Sequence, residues 1–107
     1  MNKIIISTGE NIPNKQVIEI LGVVRGSTVR ARNIGRDFAA ALKNLVGGEI
    51  KTYTEMANDA RDEAFNRMVN SAIKLEADAI IGMRFVTSMI MEGASEMVAY
   101  GTAVKLK

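Results

Sequence analysis

The sequence predicts an α+β subunit, a mostly antiparallel sheet packed on two helices, with elements in the order β-β-α-α-β-β. Three observations carry this reading. Apolar residues recur at helical spacing in two stretches between residues 34 and 75. From Ala79 onward the period drops to two, the signature of strands. Two β-branched runs, at residues 4–6 and 17–24, precede the helical stretch. The chain has 107 residues, which fits one domain, 1–107, with no room for two independent cores.

Ile4, Ile5 and Ile6 form the first strand, stopped by Ser7, Thr8 and Gly9. Residues 9–14 hold the only Pro together with Gly and two Asn, which is turn chemistry. The second strand, from Val17 to Val24, is too apolar for a surface strand; Gly22 inside it predicts a bulge or a close backbone approach. Gly26, Ser27 and Thr28 are expected to end or bend it. Asn33 is then an N-cap, with Asp37 in the first turn complementing the helix dipole. Ile34, Phe38, Ala41, Leu42 and Leu45 follow at helical spacing, and Gly47 and Gly48 close that helix.

A longer helix is expected to begin near Thr52 or Thr54, where Thr52 and Glu55 have capping-box spacing. Ala57, Ala60, Ala64, Met68, Ala72 and Leu75 form one stripe, widened by Phe65 and Val69. Its many alanines let the helix approach a neighbour closely. Beyond Ala79, Ile81, Met83, Phe85, Met89 and Met91 share one strand face. Glu92, Gly93, Ala94 and Ser95 make a turn, and residues 96–106 return as the partner of a long hairpin. Val98, Tyr100, Thr102, Val104 and Leu106 share one face of the return strand; Met97, Ala99, Gly101 and Ala103 share the other.

Both faces of this hairpin are thus apolar or small. One helical layer covers only one face of an antiparallel sheet, so the second face needs another cover. A second copy of the same chain is the expected one, and the protein is read as a homo-oligomer.

Composition narrows the function classes. The chain holds neither Cys nor His, which excludes a disulfide scaffold, a zinc finger, a haem ligand, a Ser-His-Asp triad and a Cys nucleophile together. No apolar run approaches the roughly 18–20 residues of a membrane span, and the start is too short for a secretory h-region. A cytoplasmic location with no membrane partner is expected. The formal net charge is +2, with eight basic and four acidic residues in 1–53 against six and eight in 54–107. Arg25, Arg30, Arg32 and Arg36 cluster, but no aromatic interleaves them, which argues against nucleic acid as a partner.

Short motifs have plain explanations. Ser71 and Lys74 match a Ser-x-x-Lys pattern, yet they sit late in a long helix with none of its companion elements. No phosphate-cradling glycine motif is present. Asp59, Asp62 and Glu63, and separately Glu92 and Glu96, fall short of the six to eight oxygens of a calcium site. Met89, Met91 and Met97 are soft thioether donors able to hold Cu(I), but methionine also fills irregular cores and interfaces. Arg84, among apolar neighbours, is expected to be partly buried and paired with Asp37, Glu49 or a neighbouring subunit; the alternative is an anion site shared with Arg36 or Arg61.

An ordered set of segments has a wider likeness. It runs through Asn33-Ile34-Gly35-Arg36-Asp37, Gly47-Gly48-Glu49, Tyr53-Thr54-Glu55, Ala60-Arg61 with Ala64, and Arg67-Met68. It continues with Ala77-Asp78-Ala79-Ile80, Arg84-Phe85, Thr87-Ser88, Glu96 and Ala99-Tyr100-Gly101-Thr102-Ala103-Val104. Together these resemble the YbjQ-like family of small bacterial proteins, often labelled heavy-metal-binding, from about Val17 to the end. The resemblance implies a dodecin-like α+β subunit that assembles into a ring, with a homopentamer as the expected state. Its label implies a metal, but this chain offers no thiolate or imidazole to hold one. Of the positions that match the family pattern, Arg36, Glu49, Arg61 and Arg84 are the ones local structure explains least. They are the expected ligand-binding residues, near a subunit boundary.

The expected function is therefore a non-enzymatic homo-oligomer with a small-ligand or ion site between subunits and no cofactor. Two alternatives stand beside it. One is an enzyme free of His and Cys, working through Glu49 in a deep cleft. The other is a metal binder using carboxylates or Met.

Overall fold

A computed structural model describes residues 3–30, 49–91 and 94–107, with Arg30 and residues 49–56 described in backbone alone. Within them lie strands β1 (Ile5–Ile6) and β2 (Val17–Arg30), helix α1 (Glu49–Lys74), and strands β3 (Ala79–Met91) and β4 (Ala94–Leu106). The sheet order is β1-β3-β4-β2. β1 runs parallel to β3, and the other two pairings are antiparallel, so the four strands make a mixed sheet. The helix expected over residues 33–45 lies outside the described residues.

One face of the sheet carries α1. The predicted alanine stripe packs there: Ala64, Met68 and Ala72 are fully buried against Val24, Ile80, Met83, Ala99 and Ala103. Leu75, expected at the end of the stripe, is exposed. Small side chains on both layers bring the backbones together, and Gly26 marks the closest approach. A Cβ placed on Gly26 would come within 3.0 Å of Ala64 O, Met68 N and Arg67 Cβ. β2 therefore does not end or bend at residues 26–28, as its glycine suggested, but continues paired with β4 as far as Arg30. Here the glycine serves contact with the helix and no turn. Gly22 matches its reading: φ is +134°, and the register with β4 slips between Ile20 and Gly22.

α1 is already helical at Glu49, so Thr52 and Thr54 lie inside it and neither caps it. Its C-terminus is closed by a paired hydrogen-bond pattern. Glu76 N–H donates to Ile73 O at 2.9 Å, and Ala77 N–H donates to Ala72 O at 3.1 Å. Glu76 takes the left-handed φ of +59° that this closure requires, without a glycine. Asp78 then docks the exit onto β4: its N–H donates to Val104 O, and its Oδ2 accepts from Leu106 N–H, both at 2.9 Å.

The β3–β4 hairpin forms as the period of two predicted, with two corrections. Ala94 and Ser95 belong to β4, paired with Met91 and Met89, and not to the turn. The register also slips between Ile81 and Arg84, where Gly82 adopts φ +62°. An extra residue there reverses the alternation, so Met83 joins Ile80 on the helix face and Ile81 falls on the other.

Thr28 is the one buried side chain whose hydroxyl finds no hydrogen-bond partner among the described residues. Burying a lone hydroxyl costs about 1–3 kcal/mol, and Val has nearly the same shape. Thr28→Val is expected to raise stability by about 1 kcal/mol in urea denaturation. A loss of stability would reveal a bond at Oγ1.

Candidate functional site

Of the four residues singled out by sequence, the two whose side chains are described, Arg61 and Arg84, are not brought together within one chain. Arg36 lies outside the described residues. Glu49 opens α1, with its side chain outside what is described. Arg61 sits on the helical layer, where Nη2 donates to Asn58 Oδ1 three residues earlier. Arg84 projects from β3 on the opposite face of the sheet. It follows the buried Met83, and successive strand residues point to opposite sides. The sheet separates the two guanidiniums.

Arg84 is exposed, not partly buried as its neighbours suggested. No carboxylate pairs with it among the described residues. Its Nη1 donates to two backbone carbonyls, Thr8 O and Met83 O, each at 2.8 Å. Thr8 lies just beyond β1, where Ser7 O accepts from Met83 N–H and Gly9 O from Gly82 N–H. Arg84 thereby ties the N-terminal segment to the bulge in β3 and holds its own guanidinium at the rim of the open sheet face.

Register supplies companions that the linear sequence hid. Tyr100 on β4 is opposite Arg84 on one side and Arg25 of β2 on the other. Directly opposed residues share a face, so Arg25, Tyr100 and Arg84 form one row across three strands. Arg25 is exposed and makes no hydrogen bond or ion pair among the described residues. Tyr100 is 39% exposed. The neighbouring rows are Ser27, Val98 and Val86 on one side, and Val23, Thr102 and Ile81 on the other. Neither contains a carboxylate. Arg25 and Tyr100 were missed because they lie 75 residues apart in the chain. Only the alternation around each gave a local signal, and strand pairing is not local.

The donor set bears on whether a metal could be held. No three Asp or Glu converge among the described residues, and the chain has no Cys or His. Glu63, from the acidic group on α1, pairs with Arg67 four residues on. The methionines do not converge as a trio either, because a second register slip sets Met91 out of phase with Met89. Met97 Sδ already accepts from Thr87 Oγ1 at 3.3 Å. The chain has no residue for a thiolate or imidazole centre, and the described residues do not fit a carboxylate one. Among the described residues no helix is long and apolar enough to cross a membrane.

Comparison with known proteins agrees with the whole length of the fold. A UPF0145 protein of Archaeoglobus fulgidus is 59% identical over 105 residues, covering 98% of this chain and 97% of its own. A UPF0145 protein of Shewanella frigidimarina is 59% identical over 102 residues, 95% of each chain. A crystal structure of a DUF74-family protein of unknown function from Pediococcus pentosaceus superposes with a TM-score of 0.63 at 21% identity. It covers 97% of this chain and 98% of its own, and at that identity it speaks for the fold alone. The YbjQ family model, described as "Putative heavy-metal-binding", matches residues 4–107, and the chain belongs to that family.

Proposed function

We infer that the working unit is a non-enzymatic homo-oligomer of this chain, a ring and by family likeness a pentamer, acting in the cytoplasm. It holds a small ligand or ion where subunits meet, and Arg84 is the residue that marks the place. The observation carrying this reading is the outer half of β3. All eight residues from Arg84 to Met91 are exposed, and five of them are large and apolar: Phe85, Val86, Met89, Ile90 and Met91. Val23 and Val29 of β2 add exposed apolar surface on the face away from α1. So much apolar area on a small chain marks an interaction surface.

Shape supports the same reading. The radius of gyration is 17.2 Å and the long axis 55 Å, whereas a compact chain of this length has a radius of about 13 Å. The hairpin reaches well beyond the core that α1 covers. A second copy is the natural cover, since repeated head-to-tail contact closes a ring.

Size-exclusion chromatography with light scattering at micromolar concentration tests this. The expected mass is a multiple of 11.6 kDa, five-fold for a pentamer. Val86→Lys, at an exposed position that leaves the core intact, is expected to shift the population toward smaller species. A wild-type protein eluting at 11.6 kDa overturns the reading.

A further inference from the structure

The row Arg25, Tyr100 and Arg84 holds two like charges. Two guanidiniums flank one ring on a single sheet face, with their backbones two strand spacings, about 10 Å, apart. Across water they repel only weakly at that distance, and an anion between them is attracted by both. Neither has a carboxylate partner among the described residues. The acidic residue nearest in register is Glu96, opposite Val29 and Ser88, four residues along β4 and about 13 Å away. No carboxylate lies in this row or in the rows beside it on the described strands.

We propose that this row binds the phosphate group of a small molecule, with Arg25 and Arg84 converging on the phosphate over Tyr100. This rests on the Arg84 site inferred above and names its ligand class. The three side chains supply complementary parts. A guanidinium is a planar fork of donors that matches phosphate oxygens, and its charge does not titrate in the physiological range. Arg84 is anchored through Nη1 to Thr8 O and Met83 O on the β1 side of β3, and its other donors, which make no bond among the described residues, are left to turn toward β4 and a ligand. Arg25 is exposed and makes no hydrogen bond or ion pair among the described residues, which leaves it to turn onto the anion. Tyr100 presents a partly exposed ring, a surface for a flat organic group attached to the phosphate. Apolar Val23, Val86 and Val98 border the row, so a bound phosphate sits beside low-dielectric surface, where its attraction to the guanidiniums is stronger.

Isothermal calorimetry and thermal unfolding at matched ionic strength provide the test, using inorganic phosphate and AMP as probes. Wild-type protein is expected to bind both, with a midpoint that rises with phosphate beyond the rise given by chloride. Arg25→Gln is expected to weaken both probes about tenfold or more, the loss of one charge-assisted contact. Its side chain is exposed and makes no hydrogen bond or ion pair among the described residues, so the variant is expected to fold, which its thermal midpoint without phosphate checks. Tyr100→Leu is expected to spare phosphate and weaken AMP. Lys74→Gln, an equal change of charge on exposed α1, is expected to do neither. Absence of binding up to about 10 mM, or equal loss in Arg25→Gln and Lys74→Gln, overturns the proposal. So does an Arg25→Gln protein whose mass by light scattering falls while phosphate has no effect, because the row is then an ion-pair surface between copies. A wild-type monomer that binds phosphate through Arg25 overturns the oligomer reading and leaves the phosphate site standing.

Discussion

Gly26→Ala is expected to lower the thermal midpoint by more than about 12 °C, a loss of at least about 3 kcal/mol. The new methyl has nowhere to go. Its neighbours are Ala64 O and Met68 N, backbone atoms of α1 that no rotamer change can move, and the Cβ of Arg67, fixed by the same helix. The only relief is to push the helix off the sheet, which opens the packing of Ala64, Met68 and Ala72 along its length. Arg67 registers the same movement, since its Nη1 donates to Ser27 O next to Gly26 and its Nη2 to Glu63 on its own helix. Gly22→Ala makes an informative contrast. Nothing lies within 4 Å of its Cβ, so its cost is backbone strain at φ +134° alone. Calorimetric scans of both variants at one fixed protein concentration check the order, which reverses if the approach at Gly26 is looser than described.

Met68→Ala is expected to cost about 2–5 kcal/mol. Met68, in the cluster between α1 and the sheet, is the largest fully buried side chain among the described residues. Its companions on the helix, Ala64 and Ala72, are too small to fill the space it leaves, and the Gly26 contact holds the helix from sinking into it. A rigid cavity is the expensive kind. Met68→Leu conserves volume and is expected to lose less than about 1.5 kcal/mol. Urea titrations of the pair at equal protein concentration measure the difference. Equal losses would mean that the site collapses around the smaller side chain.

Which features could be read from the sequence follows from how local each one is. The stripe through Ala60, Ala64, Met68 and Ala72, the change of period at Ala79 and the bulge glycine at 22 are written within a few residues, and each appears where expected. Gly26 was read as a turn because local chemistry does not distinguish a glycine that turns the chain from one that admits a helix against it. The bulge at Gly82 has a long-range effect from a local cause: one residue in the left-handed region moved Ile81 off the face it was assigned and put Ile80 in its place. The candidate site was the least legible part. Arg84 was singled out, with a carboxylate or an anion shared with Arg36 or Arg61 as its expected company; among the described residues the fold gives it two carbonyls, a tyrosine and, in the same row, Arg25. The pairing of residue 25 with 100 and of 84 with 100 depends on where three strands come to rest together, and no window along the chain contains it.

The sheet order places β4, the last strand in the chain, between β2 and β3. Until residues 94–106 have been synthesised and released, β2 and β3 have no strand to join them, and α1 has only half a floor to pack on. A chain that has not yet presented β4 therefore cannot complete its core, and removal of that strand is expected to leave the rest unfolded. The same strand carries Tyr100, which means that the candidate site and the finished fold come into being in one step.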